Sequence, residues 1–171
     1  MDNPDISNPN QPNRVAILDL GTNTFHLLIA DISSGGPEVV YQDTIAVKLG
    51  EGGISRCDIS KEAFERGLKA IRAFKEAIDH HQVTRVKSAA TSAIRSASNG
   101  ADFIEKIKSE TGLNLEIIDG EREAELIYIG VRAAVNLEQM SLIVDIGGGS
   151  VEFILCDKNR IVWKRSFEVG V

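Results

Sequence analysis

The sequence predicts an α/β fold, a mixed sheet with flanking helices, and three observations carry that prediction. Short runs rich in Val, Ile and Leu alternate with segments whose apolar residues recur at steps of three and four, which are the periods of strands and covering helices. The first three runs are separated only by short turns, whereas later ones are joined through helices, as a mixed sheet requires. One motif also occurs twice: Asp19-Leu20-Gly21-Thr22-Asn23-Thr24 returns as Asp145-Ile146-Gly147-Gly148-Gly149-Ser150, each copy lying between two apolar runs. The chain is therefore expected to hold a first unit and the start of a similar second one.

Residues 1–13, rich in Asn, Pro and Asp, lack the basic and apolar regions of a signal peptide and read as a disordered leader. Arg14-Val15-Ala16-Ile17-Leu18 and Phe25-His26-Leu27-Leu28-Ile29-Ala30 are strands around the first motif. Ser33-Ser34-Gly35-Gly36 is a turn, 38–49 a third strand, and Gly50, Gly52 and Gly53 a loop. Ser60 N-caps a helix reaching about His81, with Phe64, Leu68, Ile71, Phe74 and Ile78 on one buried face. A strand at 84–90, a small-residue segment at 91–99 and a helix over about 101–111 follow, the helix closed by Gly112. Then come a strand at 113–118 and a helix over 121–135 that turns Ala124, Ile127, Val131 and Ala134 inward.

The second motif lies between Ser141-Leu142-Ile143-Val144 and Val151-Glu152-Phe153-Ile154-Leu155. It opens a second three-stranded unit with no helix after it, so one face of that sheet is short of a partner. The division expected is a leader at 1–13, a first lobe at 14–122, and a linking helix with the opening hairpins of a truncated second lobe at 123–171. Ending in strand-like sequence at Val171, the chain reads as a fragment.

The totals fit one soluble domain and a fraction: 171 residues, 43% hydrophobic and 26% charged. No apolar run approaches the roughly 20 residues of a membrane span, and a cytoplasmic location without membrane contact is expected. A formal charge of -6 argues against broad nucleic-acid binding. It leaves room for a phosphate pocket built from local donors and a cation. Cys57 and Cys156 are too few and too far apart for a disulfide framework or a zinc site, and are read as free thiols.

The repeated motif has the chemistry of such a pocket. Glycine brings backbone N–H groups close to a ligand, and hydroxyl and amide side chains add donors. Gly21, Thr22, Asn23 and Thr24 from one turn, with Gly147, Gly148, Gly149 and Ser150 from the other, are the candidate phosphate-binding residues. Asp19 and Asp145 end their strands at equivalent points, where each either holds a hard divalent cation or caps its own turn. Glu152 shares a strand face with Ser150 and joins the cation site, orients water, or is an exposed strand glutamate. At the start of the helix at 121–135, Glu121 and Glu125 share a face, whereas Glu123 lies about 200° round from each, beside the apolar stripe. Half-burial raises a carboxylate's pKa and suits a general base; complementing the helix dipole is the alternative. His26, His80 and His81 read as satisfied strand and helix-end residues. No Ser-His-Asp order, P-loop lysine or His-Glu-x-x-His helix occurs.

Together, Asp19 to His26, Gly120-Glu121-Arg122-Glu123-Ala124 and Asp145 to Glu152 resemble the exopolyphosphatase and guanosine pentaphosphate phosphatase (Ppx/GppA) family of the actin, sugar kinase and Hsp70 superfamily. The resemblance implies an actin-like (ribonuclease H-like) fold whose two lobes face each other across a cleft. It also implies Mg²⁺-assisted hydrolysis of a terminal phosphoanhydride, with inorganic polyphosphate or guanosine pentaphosphate (pppGpp) as substrate, and a homodimer at full length. By the family pattern Glu123 is the base, and Arg95 points into the cleft, where its fork of donors suits phosphate. Many relatives carry Glu-Glu-Ala-Arg where this chain has Arg122-Glu123-Ala124-Glu125, a swap that leaves the base in place. A sugar or acid kinase of the same superfamily, and a non-catalytic module binding polyphosphate or pppGpp, are the rival readings.

Overall fold

The computed structural model describes residues 13–33, 35–51 and 58–170. Most of the expected leader, Ser34, Gly52, Gly53 and Cys57 lie outside the described residues. The elements run β1 (Arg14–Leu20), β2 (Thr24–Ser33), β3 (Gly36–Ala46), α1 (Lys61–His80), β4 (Arg85–Ala90), α2 (Ser92–Ser96), α3 (Gly100–Thr111), α4 (Gly120–Ala134), β5 (Ser141–Ile146), β6 (Val151–Cys156) and β7 (Ile161–Phe167).

The first sheet has the order β3-β2-β1-β4, with β1 to β3 antiparallel and β4 parallel to β1, so it is mixed. Period-two alternation sends Leu18, Leu20, Phe25, Leu27 and Ile29 to one face. There they meet the α1 stripe of Leu68, Ile71, Phe74 and Ile78, together with Phe103 and Ile107 from α3. Burial of each such side chain contributes about 1.5–3 kcal/mol. Ser60 caps α1 as expected, its Oγ accepting from the Ala63 N–H at 3.3 Å. Gly112 closes α3 with φ of 72°, a conformation that favours glycine.

Gly100, at the start of α3, has a tighter constraint, since a Cβ there would overlap the carbonyl oxygen of Ile94. Backbone cannot swing aside as a side chain can. Gly100→Ala is therefore expected to destabilise the fold by about 2–3 kcal/mol, read as a lower denaturant midpoint with unchanged m-value.

The second sheet, β5-β6-β7, is antiparallel throughout. One face is covered by α4, with Ala124 and Tyr128 packed on Ile154 and the free thiol Cys156. On the other, Leu142, Val144, Ile146 and Trp163 stand exposed. This is the face the sequence left without a partner. The first turn of α4, which begins at Gly120, straddles the division anticipated between 122 and 123. No helix among the described residues is long and apolar enough to cross a membrane.

Three local expectations are corrected. The stretch at 113–118 is not a strand: it makes one bridge, Ile117 to Ala90. β4 ends there, and the Glu116 N–H donates to the Ser88 hydroxyl rather than to a backbone carbonyl. The small-residue segment at 91–99 contains the short helix α2, begun by bonds from the Ile94 and Arg95 N–H groups to the Thr91 carbonyl. Finally, β3 stops at Ala46 rather than continuing to 49. The N–H groups of Val47 and Lys48 turn to the Asn23 carbonyl, and those of Leu49 and Gly50 to the Thr22 carbonyl. The lost rungs thereby brace the first motif.

Candidate active site between two glycine turns

The sequence repeat is a structural repeat. Each motif folds as a four-residue turn closed by the same bond, Gly21 N–H to the Thr24 carbonyl at 3.0 Å and Gly147 N–H to the Ser150 carbonyl at 2.9 Å. Among the described residues, the N–H groups of Thr22, Asn23, Gly148 and Gly149 donate to no protein acceptor. Such unpaired donors on successive residues form a nest for an anion. The equivalence extends across the strands. In the first sheet Asp19, His26 and Thr44 lie side by side in register; in the second Asp145, Glu152 and Ser166 do.

The two rows differ in what satisfies them. His26 is held between the hydroxyls of Thr24 (2.9 Å) and Thr44 (3.0 Å), which bears out its reading as a satisfied strand residue. Glu152 is 1% exposed beneath α4 and accepts from the Ser166 hydroxyl at 2.7 Å. It is not an exposed strand glutamate. Ser166 was not singled out from the sequence; its register opposite Glu152 is what identifies it.

The turns touch. A Cβ on Gly148 would lie 2.5 Å from Asn23 Nδ2 and 3.1 Å from Thr22 Cβ, and one on Gly149 would lie 2.6 Å from Thr22 Oγ1 and 2.7 Å from Ser92 Oγ. Only glycines let the lobes approach this closely. Beside the contact is a cavity of about 260 Å³ whose lining includes Thr22, Ser92, Ser96, Gly149 and Glu168.

Glu123, in the first turn of α4, meets Arg95 of α2. Its side chain is 17% exposed, the half-burial expected, and it accepts from Arg95 Nη1 at 3.0 Å. Burial raises its pKa; the Arg95 bond works against that, and the negative charges of Glu152 and Asp19 add to it. Asp19 is open to solvent on one side and crowded by protein on the others. Its pKa is raised by that crowding and by Asp145, against the pull of His26. Glu121 and Glu125 share their face as expected, with Lys164 bonded to the Glu121 carbonyl and the Glu125 carboxylate. Arg122 pairs with Glu125 at 2.9 Å, away from the turns.

Arg95, expected to offer its fork of donors to phosphate, has every nitrogen bonded to protein in this structure. Nε and Nη2 donate to Glu168 Oε1 at 3.0 and 2.7 Å, and Nη1 donates to Glu123 and to the Ile118 carbonyl. The segment after β7 brings Glu168 onto α2, so the guanidinium meets carboxylates before any ligand. Glu168 also accepts from Ser92 at 2.7 Å and Ser96 at 3.1 Å. None of Ser92, Ser96 and Glu168 was singled out, because only the contact between the two lobes joins them.

The candidate metal residues Asp19, Asp145 and Glu152 do not form a closed cage: among the described residues no three His, Cys, Asp or Glu side chains converge on one metal position. Asp19 and Asp145, whose negative charges repel each other, still suit a hard cation that completes its shell with water or phosphate oxygens, as Mg²⁺ does.

Two glycine turns, each at the end of an antiparallel hairpin and facing the other from its own lobe, define an actin-like α/β protein. Solved structures agree on that fold. MreB5 of Spiroplasma citri bound to ADP, 20% identical, superposes with a TM-score of 0.50 over 92% of this chain and 53% of its own. The chain belongs to the Ppx/GppA phosphatase family, whose model matches residues 28–171. An exopolyphosphatase from Cytophaga hutchinsonii is 49% identical, with a TM-score of 0.90 over 92% of this chain and 51% of that one. The Ppx/GppA family member from Aquifex aeolicus is 31% identical, with a TM-score of 0.80 over 94% and 52%. The chain thus spans about half the length of these relatives.

Proposed function

We propose that this chain carries the first lobe and the start of the second lobe of a phosphohydrolase that releases orthophosphate from the terminal phosphoanhydride of inorganic polyphosphate or pppGpp. The observation that carries the reading is Glu123: a half-buried carboxylate of raised pKa, within reach of the charges of Asp19 and Glu152, the residues that flank the two turns with unpaired N–H groups. The oxygen of a water molecule attacks the terminal phosphorus while Glu123 takes its proton. The bond from phosphorus to the bridging oxygen breaks, and the shortened chain leaves with the electron pair. The N–H groups of Thr22, Asn23, Gly148 and Gly149 meet the charge gathering on the phosphoryl oxygens. Asp19 and Asp145, together with Glu152, would hold Mg²⁺, which would neutralise phosphate charge during the transfer. The family match and the 49% identity to an exopolyphosphatase favour hydrolysis over transfer to an alcohol, the kinase reading.

The test is phosphate release from polyphosphate and from pppGpp by the full-length protein, run beside an assay for phosphoryl transfer to an acceptor. Transfer without release would sink the hydrolase assignment. The cation has its own check. Mg²⁺ at saturating concentration is expected to raise the thermal midpoint of the wild type, because a ligand bound only by the folded state adds RT ln(1 + [L]/Kd). The shift should vanish in Asp19→Asn/Asp145→Asn; an undiminished shift would place the cation elsewhere.

A further inference from the structure

We infer that Glu168 is a positioning residue: it holds one edge of the Arg95 guanidinium so that only the opposite nitrogen reaches Glu123. The inference rests on the assignment of Glu123 as base. Glu168 follows β7 in the second lobe, whereas Ser92, Arg95 and Ser96 all belong to α2 in the first. The carboxylate takes bonds at both oxygens, Oε2 from Ser92 (2.7 Å) and Ser96 (3.1 Å), Oε1 from Arg95 Nη2 (2.7 Å) and Nε (3.0 Å). Both donors of the Nε–Nη2 edge converge on one oxygen, Glu168 Oε1, which also takes Nη2 away from any paired grip with Nη1. Glu168 occupies that edge, and Nη1 is left to give Glu123 a single bond at 3.0 Å, its orientation fixed by a second bond to the Ile118 carbonyl.

The arrangement limits how far Arg95 can neutralise the base. Guanidinium gripping both oxygens of Glu123 would hold it as a tight ion pair and weaken it as a proton acceptor. Glu168 diverts most of that attraction. Burial opposes its charge, yet the Ser92 and Arg95 bonds outweigh this and hold its carboxyl below the usual carboxylate range. Anchoring is reinforced nearby. A Cβ on Gly170 would overlap the backbone of Gly148 and Gly149, so the chain after β7 lies directly against the second turn. The Glu168–Arg95 contact and the contact between the two turns thus occur side by side in this structure.

The experiment compares steady-state kinetics of full-length wild type, Glu168→Gln, Glu168→Asp, Arg95→Ala and Glu168→Gln/Arg95→Ala, with Glu123→Gln as control. Partners that orient a working side chain are worth about 10–100-fold in activity. Glu168→Gln is expected to lower kcat by about tenfold or more without raising KM, and Glu168→Asp to recover part of the loss. In the Arg95→Ala background, Glu168→Gln should change kcat no further, because the two residues act as one unit. A role confined to lobe closure would raise KM instead and would be additive with Arg95→Ala. Either of those results, or an unchanged kcat, overturns the inference. Turnover lost in Glu123→Gln but unaltered in Glu168→Gln overturns the positioning role alone. Turnover surviving in Glu123→Gln overturns the base assignment and this inference with it.

Discussion

Glu123→Gln is expected to lower phosphate release by about 10²–10⁴-fold, the contribution of a placed general base, while the protein stays folded. The amide keeps the shape of the carboxylate, and its oxygen still accepts from Arg95 Nη1. What it loses is the ability to take a proton from water. Stability should change little in either direction: Arg95 loses one charged partner but keeps Glu168, and a negative charge disappears from beside Glu152 and Asp19. The measurements are the rate of orthophosphate release and the thermal midpoint, made on the same preparation. A variant that unfolds would say nothing about the base, which is why Glu123→Asp belongs beside it. Shortening the arm while keeping the acid should leave more activity than Gln does. Near-wild-type turnover in Glu123→Gln would require another base.

Gly148→Val is the second large effect expected. At Gly148 even a Cβ would lie 2.8 Å from Asn23 Cγ as well as 2.5 Å from its Nδ2. Valine adds two more methyl groups at the point where the lobes meet. The cost falls on the contact rather than on either core, since no core side chain surrounds Gly148. The turns separate, the unpaired N–H groups no longer converge on one phosphoryl group, and displacement of about 1 Å is enough to cost about 10²-fold. Both KM and kcat should suffer, in contrast to the kcat effect at Glu168. Wild-type kcat/KM in the Gly148→Val variant would show that substrate binds without the two turns in contact.

Much of the fold was legible because local chemistry and global architecture agree in this chain. The α1 stripe, the Ser60 cap, the Gly112 closure and the alternation in β1 and β2 each bury apolar surface at the period of their own element. Where the reading failed, a non-local partner had intervened. β3 ends early because the carbonyls of Thr22 and Asn23 draw off its last N–H groups. The segment at 113–118 stays irregular because a serine hydroxyl replaces a ladder bond. At the site, the doubled turn, the paired aspartates and the half-buried glutamate were all visible, since each is a matter of spacing along one strand or helix.

The sequence by itself determined the repeat, and with it two equivalent strand–turn–strand units whose glycines and aspartates suit a phosphate and a cation. It also determined which glutamate of the α4 first turn faces inward, because helical period leaves no choice. Only the tertiary structure decided that the two turns touch, that Glu152 is buried against Ser166, and that Arg95 is shared between Glu123 and Glu168. Those partners lie far apart in the chain. Hydrogen bonds between them depend on atomic distances set by the packing of one lobe on the other, and no periodicity along a single element encodes such distances.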